Sequence, residues 1–277
     1  MKKILNIVLL VSLFLGMKTI NYSKTVEKVV QYNDVVATHV IADGNTENSK
    51  TVIMLHGFAS SRDEVGGLYK NLADSLAKQG INSIRVDFRG FGDTTVKSTE
   101  ATATTMIEDA QNTYNYLKKL GVKNISVQGF SLGSDIAILT FSKNKDIKNM
   151  VLWSTPKDIM DQYYEIEKKD RDIAYSKGIV NLDLGWRKLS LSKEFFESLK
   201  KYDVMKEFAE YNGNVYFIAG GIDELKDDPF ELKKSTSNAN IDIFIVKGGD
   251  HIYHSLDDDQ TQAKLVVKKT TDWFRKK

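Results

Sequence analysis

A serine lies between two glycines where a strand is predicted to give way to a helix. Residues 124–128 alternate as a strand does, and residues 134–139 are typical of a helix. The Gly-x-Ser-x-Gly pattern from Gly129 to Gly133 therefore predicts a sharp turn that exposes the Ser131 hydroxyl. Glycines allow strand and helix to approach closely, and free N–H groups at a helix N-terminus suit a developing oxyanion. This is the chemistry of a serine that attacks a carbonyl group.

A serine hydroxyl is a poor nucleophile near neutral pH and requires a general base. The sequence contains four histidines: His39, His56, His251 and His254. His251 directly follows the last predicted strand and is the candidate base, with His254 as the weaker alternative in the same loop. His39 lies in a predicted hairpin, away from the carboxyl edge of the sheet. Without such a base, the serine pattern would be only a chance turn.

An acid is needed to orient the imidazole, and it is expected after the preceding predicted strand. That stretch reads Gly-Gly-Ile-Asp-Glu from residue 220 to residue 224. Asp223 is the expected acid. Glu224, Asp227 and Asp228 are alternatives that would otherwise be solvated loop side chains. The order along the chain is then serine, acid, histidine.

Two backbone N–H groups are candidates for binding the oxyanion. One belongs to Leu132, the residue after the nucleophile, and the other to Phe58, in the His-Gly-Phe sequence after a predicted strand at 51–55. Losing one such donor typically raises the activation free energy of the reaction by about 3 to 4 kcal/mol. We expect His56 to shape this loop and not to transfer protons.

Composition favours one large domain with a buried core, at 277 residues and 42% hydrophobic content. The net charge is +2 and the basic residues are dispersed, so the sequence gives no indication of nucleic-acid binding. The absence of cysteine excludes disulfides, thiolate catalysis and cysteine-based metal sites.

The first residues have the composition of a targeting segment. Two lysines follow Met1, and residues 4–17 are almost wholly apolar. This run is short for a membrane span but suits a secretory signal. Residues 1–22 are therefore predicted to be a signal peptide or, in the absence of a clear cleavage site, an uncleaved anchor. The chain would then be secreted or attached to the cell envelope, with any membrane contact through this segment alone.

Strands alternate with helices along the rest of the chain, residues 23–277. This alternation predicts an α/β fold with a mostly parallel sheet and helices on both faces. Functional residues are then expected at the carboxyl ends of strands. The predicted strands are 26–30 and 35–41 (an antiparallel hairpin), 51–55, 81–86, 124–128, 150–153, 214–219 and 241–246, and the predicted helices are 62–79, 102–120, 132–141 and 261–275.

A long interval, residues 155–213, separates the sixth and seventh predicted strands. Its length predicts an insertion over the carboxyl edge that serves as a lid or cap. Residues 179–191 favour a hairpin, and 193–211 favour a helix in two pieces. Its nine aromatic side chains could line an acyl pocket, although packing within the insertion is the expectation for any single ring. They are Tyr163, Tyr164, Tyr175, Trp186, Phe195, Phe196, Tyr202, Phe208 and Tyr211.

With these motifs in place, the chain resembles the α/β-hydrolases and, within them, the bacterial cinnamoyl and feruloyl esterases. The resemblance extends from about residue 30 to the end and is carried by residues 56–58, 87–92, 129–133, 220–223 and 249–251. One departure is Phe130, which stands where many relatives carry histidine and bears on fine specificity.

This resemblance implies an α/β-hydrolase fold and a serine carboxylic ester hydrolase that forms an acyl-enzyme. It implies catalysis by Ser131, His251 and Asp223, with Phe58 and Leu132 as oxyanion donors. A small-molecule ester, such as a hydroxycinnamate, would be the substrate, and no metal or cofactor would be required. A serine peptidase or thioesterase on the same fold remains an alternative, as does a binding protein without turnover.

Overall fold

An eight-stranded sheet brings the predicted motifs to one edge of the protein. The structure is a computed structural model that describes residues 25–277, so the predicted leader segment 1–22 lies outside the described residues. Within that range the strands are β1 (Val26–Tyr32), β2 (Val35–Ile41), β3 (Thr51–Leu55), β4 (Asn82–Asp87), β5 (Ile125–Phe130), β6 (Asn149–Trp153), β7 (Ile179–Asp183), β8 (Lys188–Ser192), β9 (Asn214–Gly220) and β10 (Asn240–Val246).

The order of strands in the large sheet is β1-β2-β4-β3-β5-β6-β9-β10. β1, β2 and β4 pair antiparallel, and every later pairing in the sheet is parallel. The parallel register aligns the carboxyl ends, since Leu55 pairs with Gly129, and Phe130 with Trp153. The loops after β3, β5, β6, β9 and β10 therefore meet at the same edge.

Helices cover both faces of the sheet. Their bounds are α1 (Leu68–Ala77), α2 (Ala103–Lys119), α3 (Leu132–Phe141), α4 (Asp161–Glu165), α5 (Lys168–Lys177), α6 (Lys193–Leu199), α7 (Val204–Ala209), α8 (Asp228–Lys234) and α9 (Thr261–Lys276). Side chains of β3 alternate between two cores: Val52 and Met54 pack with α1 and α9, whereas Ile53 and Leu55 pack with α2 and α3. β3 is buried on both faces, which explains its uninterrupted apolar sequence.

The helix predicted over 62–79 is wrong at its start, because α1 begins at Leu68. The backbone before it turns through positive φ at Glu64 (60°), Gly66 (59°) and Gly67 (71°). A right-handed helix cannot pass through such residues. By contrast, α2 begins close to its prediction, with Thr102 capping it by accepting from the Thr105 N–H.

The insertion, residues 155–213, contains α4, α5, the β7–β8 hairpin, α6 and α7. The predicted hairpin and two-piece helix are confirmed. Phe195, Phe196 and Phe208 are fully buried, so these rings form part of a core, as expected. Within residues 25–277, no helix combines the length and apolar character needed to cross a membrane.

Candidate active site

Ser131 lies at the junction of β5 and α3 in a strained backbone conformation. β5 ends at Phe130 and α3 begins at Leu132, while Ser131 between them has φ 52° and ψ −125°. Such a conformation costs a non-glycine residue about 1–3 kcal/mol. The Ser131 N–H donates to the carbonyl oxygen of Trp153 at 2.9 Å and so joins the turn to β6. The predicted sharp turn is therefore present.

The two glycines of the serine motif are required by close approach. A Cβ at Gly129 would lie 2.6 Å from the carbonyl oxygen of Gly133. A Cβ at Gly133 would lie 2.1 Å from the carbonyl oxygen of Leu55. Both distances are far below van der Waals contact, and backbone atoms cannot move away cheaply. Only glycine therefore allows α3 to begin this close to β3 and β5.

The structure brings Ser131, His251 and Asp223 into one chain of hydrogen bonds. His251 Nε2 lies 3.1 Å from Ser131 Oγ, and His251 Nδ1 lies 3.1 Å from Asp223 Oδ2. Because an ionised carboxylate only accepts, Nδ1 carries the imidazole proton. Nε2 is then free to accept the proton of the serine hydroxyl. This is the arrangement that a base-activated serine nucleophile requires.

The charges of His251 and Asp223 stabilise each other. Burial disfavours the imidazolium, but the hydrogen bond and negative charge of Asp223 outweigh it and raise the pKa of His251 above its ordinary value of 6.5. Burial likewise disfavours the carboxylate, yet the hydrogen bond and charge of His251 bring the pKa of Asp223 below its ordinary value. The pairing thus favours an ionised Asp223 and a His251 that can hold a proton.

Ser154 and Tyr253 fix the His251 loop, and sequence reasoning missed both. Ser154 follows β6 with φ 42°, and its Oγ lies 2.9 Å from the carbonyl oxygen of His251. It also lies 3.0 Å from the hydroxyl of Tyr253, which donates to the carbonyl oxygen of Ile218 at 2.8 Å. The position of Ser154 at the carboxyl end of a strand was the available signal.

Two backbone N–H groups beside Ser131 are free to bind an oxyanion. Within residues 25–277, the N–H groups of Phe58 and Leu132 have no hydrogen-bond partner. Leu132 is the first residue of α3, where the helix itself leaves the N–H unpaired. These are the two donors that the sequence predicts.

Glu64 fixes the loop that contains Phe58, and this role was not predicted. Its carboxylate accepts from the Gly57 N–H at 2.7 Å, from the Ser60 hydroxyl at 2.5 Å and from the Val65 N–H at 2.8 Å. The glutamate is buried, so these donors offset the loss of water around its carboxylate.

A cavity of about 720 Å³ opens beside the serine and is lined mainly by apolar atoms. Phe58, Phe130 and Ile252 contribute from the sheet edge, while Trp186 and Glu165 contribute from the insertion. Of the nine aromatic residues in the insertion, Trp186 is one that lines this cavity. The site thus combines a candidate nucleophile, a candidate base, two free N–H donors and an apolar cavity.

Residues 50–254 match the family described as the alpha/beta hydrolase fold. The chain belongs to this family. The match contains the serine turn, Asp223 and His251, and it covers most of the described chain.

Proteins similar to this α/β-hydrolase include two curated relatives that match over about a third of the chain. Over 101 residues it is 33% identical to the Multifunctional-autoprocessing repeats-in-toxin of Vibrio cholerae, and over 98 residues it is 36% identical to Protein ABHD12B of Homo sapiens. The matched part is 2% of the first protein and 25% of the second. The chain therefore corresponds to only a small part of each.

Solved structures of hydrolases match over nearly the whole chain. Est1E from Butyrivibrio proteoclasticus, determined with bound ferulic acid, has a TM-score of 0.70 at 19% identity, covering 89% of this chain and 97% of that one. Alpha/beta hydrolase domain-containing protein 10 from mouse has a TM-score of 0.69 at 15% identity, covering 91% and 99%. At these identities the likeness shows a common fold.

The other histidines of this α/β-hydrolase have different partners. His254 faces Asp257 through Nδ1 at 2.9 Å and the carbonyl oxygen of Gly248 through Nε2 at 3.1 Å. The buried His56 has Nδ1 2.7 Å from the carbonyl oxygen of Gly57, and its Nε2 accepts from the Phe88 N–H at 3.2 Å. His56 therefore stabilises its own loop.

The rival acids are also placed elsewhere. Asp228 accepts from the Lys157 ammonium at 2.8 Å and from the Lys157 N–H at 3.1 Å. Glu224 and Asp227 lie in the short helical turn after Asp223. Within the part of the chain that the structure describes, no group of three histidine or acidic side chains is arranged to hold a metal ion.

Proposed function

We propose that this α/β-hydrolase is a serine carboxylic ester hydrolase that works through an acyl-enzyme. The observation that carries the proposal is the hydrogen-bonded chain from Asp223 through His251 to Ser131, which ends in an apolar cavity. A serine paired in this way is activated, whereas an unpaired one is not.

In the proposed mechanism, His251 Nε2 takes the proton of Ser131 as Oγ attacks the ester carbonyl. The N–H groups of Phe58 and Leu132 donate to the oxyanion. His251 then gives its proton to the leaving alcohol, and the acyl group remains on Ser131. Water repeats the sequence and releases the acid. Asp223 stays ionised and fixes the imidazole throughout.

The proposed substrates are esters with a small or aromatic acyl group, including hydroxycinnamates. The cavity volume of about 720 Å³ lies in the ordinary range for small-molecule sites. Phe58, Phe130 and Trp186 line it with aromatic side chains, a composition that suits a planar aromatic acyl group. The fold likeness to Est1E, whose structure contains ferulic acid, supports the same class.

Turnover by wild-type protein and by Ser131→Ala tests the proposal. The assay uses p-nitrophenyl esters of increasing acyl length, methyl ferulate, a thioester and an aminoacyl amide. Ester turnover that disappears in the variant is the expected result. Ferulate turnover would support the aromatic class, and short-chain turnover alone would discard it. Turnover confined to the thioester or the amide would overturn the esterase proposal.

We also propose that the protein is exported, as residues 1–22 predict. Fractionation of cells expressing the full chain tests this proposal. Full activity in the cytoplasmic fraction, with none in the envelope or the medium, would contradict it.

A further inference from the structure

A residue of the insertion contacts the loop that contains Phe58. Arg187 lies at the turn of the β7–β8 hairpin, where the Leu184 N–H donates to the Arg187 carbonyl oxygen at 2.9 Å. Its Nη1 donates to the carbonyl oxygens of Ala59 and Ser60, both at 2.7 Å. One guanidinium nitrogen thus bridges two carbonyls of a loop almost 130 residues away in sequence.

The loop that Arg187 contacts contains a residue in an unfavourable backbone conformation. Ala59 has φ 54°, a left-handed conformation that disfavours a side chain with a Cβ. The Gly57 N–H is bound by Glu64, and the Gly57 carbonyl oxygen lies 2.7 Å from His56 Nδ1. These contacts fix the peptide on the N-terminal side of Phe58.

Arg187 fixes the other side of Phe58. The carbonyls of Ala59 and Ser60 belong to the two peptides that follow the strained residue, so the bonds from Arg187 hold the backbone directly after Ala59 in place. The guanidinium carbon also lies 5.6 Å from the centre of the Phe91 ring, which packs edge-on against Phe58 at 6.4 Å. An ammonium group could bind the two carbonyls but could not also lie flat against the ring, so lysine would reproduce this role only in part.

We propose that Arg187 is a positioning residue that holds the loop just after Phe58 in place, so that the Phe58 N–H lies where an oxyanion would form, and that it thereby links the insertion to oxyanion stabilisation. This inference rests on the proposed function. Arg187 and the neighbouring Trp186 both line the cavity, so the hairpin turn is part of the chamber that would receive the substrate. The insertion then does more than cover the cavity, because one oxyanion donor depends on it.

The proposal predicts a loss in kcat with little change in KM. An oxyanion forms only in the transition state, so a misdirected donor affects kcat and not substrate binding. Complete loss of one donor costs about 100- to 1000-fold in kcat. Because Arg187→Gln misdirects the donor without removing it, we expect a fall of about 10- to 100-fold. Lysine at this position should recover only part of the loss.

Arg171→Gln is the matched control. Arg171 Nη1 also donates to two carbonyl oxygens, those of Tyr163 at 2.8 Å and Ile166 at 2.6 Å, but both lie inside the insertion. Its loss should leave kcat within about twofold of wild type, because the oxyanion loop keeps its contacts.

The experiment measures kcat, KM and melting temperature for the full chain as wild type, Arg187→Gln, Arg187→Lys, Arg187→Ala and Arg171→Gln. Affinity for an aryl boronic acid, whose tetrahedral adduct with Ser131 resembles the transition state, should fall by the same factor as kcat. Added guanidinium ion should restore part of the activity of Arg187→Ala, which a merely unfolded variant would not show.

Wild-type kcat in Arg187→Gln, a loss confined to KM, or an equal loss in Arg171→Gln would overturn the inference and leave the esterase proposal intact. If wild-type protein hydrolyses no ester, the proposed function itself fails. The rate at which a phosphonate labels Ser131 then replaces kcat, since its transition state also places an oxygen near the two N–H donors. Equal labelling rates in wild type and Arg187→Gln would reject the positioning role.

Discussion

The ring of Phe130 lies 5.3 Å from the imidazole of His251, centroid to centroid, and is almost fully buried. The same ring contacts the loop at Gly57, where a Cβ would approach it to 3.0 Å. Phe130 thus packs between the candidate base and the loop that contains Phe58.

Phe130→Ala should therefore weaken both stability and turnover. Removing a buried phenylalanine typically costs about 3–5 kcal/mol, and His251 loses the surface that supports it. Urea unfolding and kcat on a p-nitrophenyl ester measure the two effects. Phe130→Met is the control, because methionine fills similar volume and should cost less than about 1.5 kcal/mol. Equal stability of Phe130→Ala and wild type would contradict the packing role.

Asp223→Asn should lower kcat by about 10⁴-fold without unfolding the protein. An amide at this position favours the wrong imidazole tautomer, so His251 could not accept the serine proton. Asp228→Asn is the matched control, because Asp228 binds Lys157 and should keep near-wild-type kcat. The opposite ranking of the two variants would transfer the orienting role to Asp228.

The pH dependence of kcat/KM should report the raised pKa of His251. A general base acts only when neutral, so activity falls as the pH drops through the folded-state pKa. Since Asp223 outweighs the effect of burial, the midpoint of this fall should lie above 6.5. Glu165 also raises the pKa of His251, so Glu165→Gln should move the midpoint to lower pH. A midpoint below 6.5 in wild type would be inconsistent with the described geometry.

The buried Asp135 should make the free energy of unfolding depend on pH. It lies one turn after Ser131 in α3, is fully buried, and neither carboxyl oxygen has a hydrogen-bond partner within residues 25–277. Burial raises its pKa well above the ordinary value of 3.8. The native state therefore binds a proton that the unfolded state loses, and stability declines as the pH rises above about 4 until the folded-state pKa is passed.

Asp135→Asn should remove that decline. We expect Asp135→Asn to be more stable than wild type near pH 7, where the native acid must hold a proton that the unfolded chain releases. Near pH 3.5 we expect no gain, because the acid is neutral in both states and an amide leaves its polar atoms equally unpaired. Urea unfolding at both pH values measures it. A gain of the same size at pH 3.5 would show that charge is not the cause.

The sheet could be predicted because the sequence of each strand is by itself typical of a strand. β3 is a short apolar run buried on both faces, and the structure gives it the predicted bounds of 51–55. Ser131, Asp223 and His251 could be placed because each follows a strand whose carboxyl end lies at the same edge. Their meeting follows from topology, which the alternation of strands and helices specifies.

The remaining features depend on contacts between distant segments. Nothing near Arg187 in the sequence indicates that it binds the carbonyls of Ala59 and Ser60. Nor does the sequence near Glu64 show that a left-handed turn places its carboxylate on Gly57. Two other features do have a local signal in the sequence. The glycines at 66 and 67 mark the delayed start of α1, and Pro229 near the start of α8 is typical of a helix N-terminus.

The register of β1 shows at which end of the sheet the described chain begins. Val26 pairs with Ile41, and β2 runs antiparallel to β4, so residue 26 lies level with the amino ends of the parallel strands. The serine lies at the opposite end of those strands, roughly 15–20 Å away at 3.3 Å per residue. If residues 1–22 serve as a membrane anchor, the anchored end of the described chain lies at the end of the sheet away from the cavity. An enzyme held in this way would take its substrate from the surrounding fluid and not from the lipid beneath it.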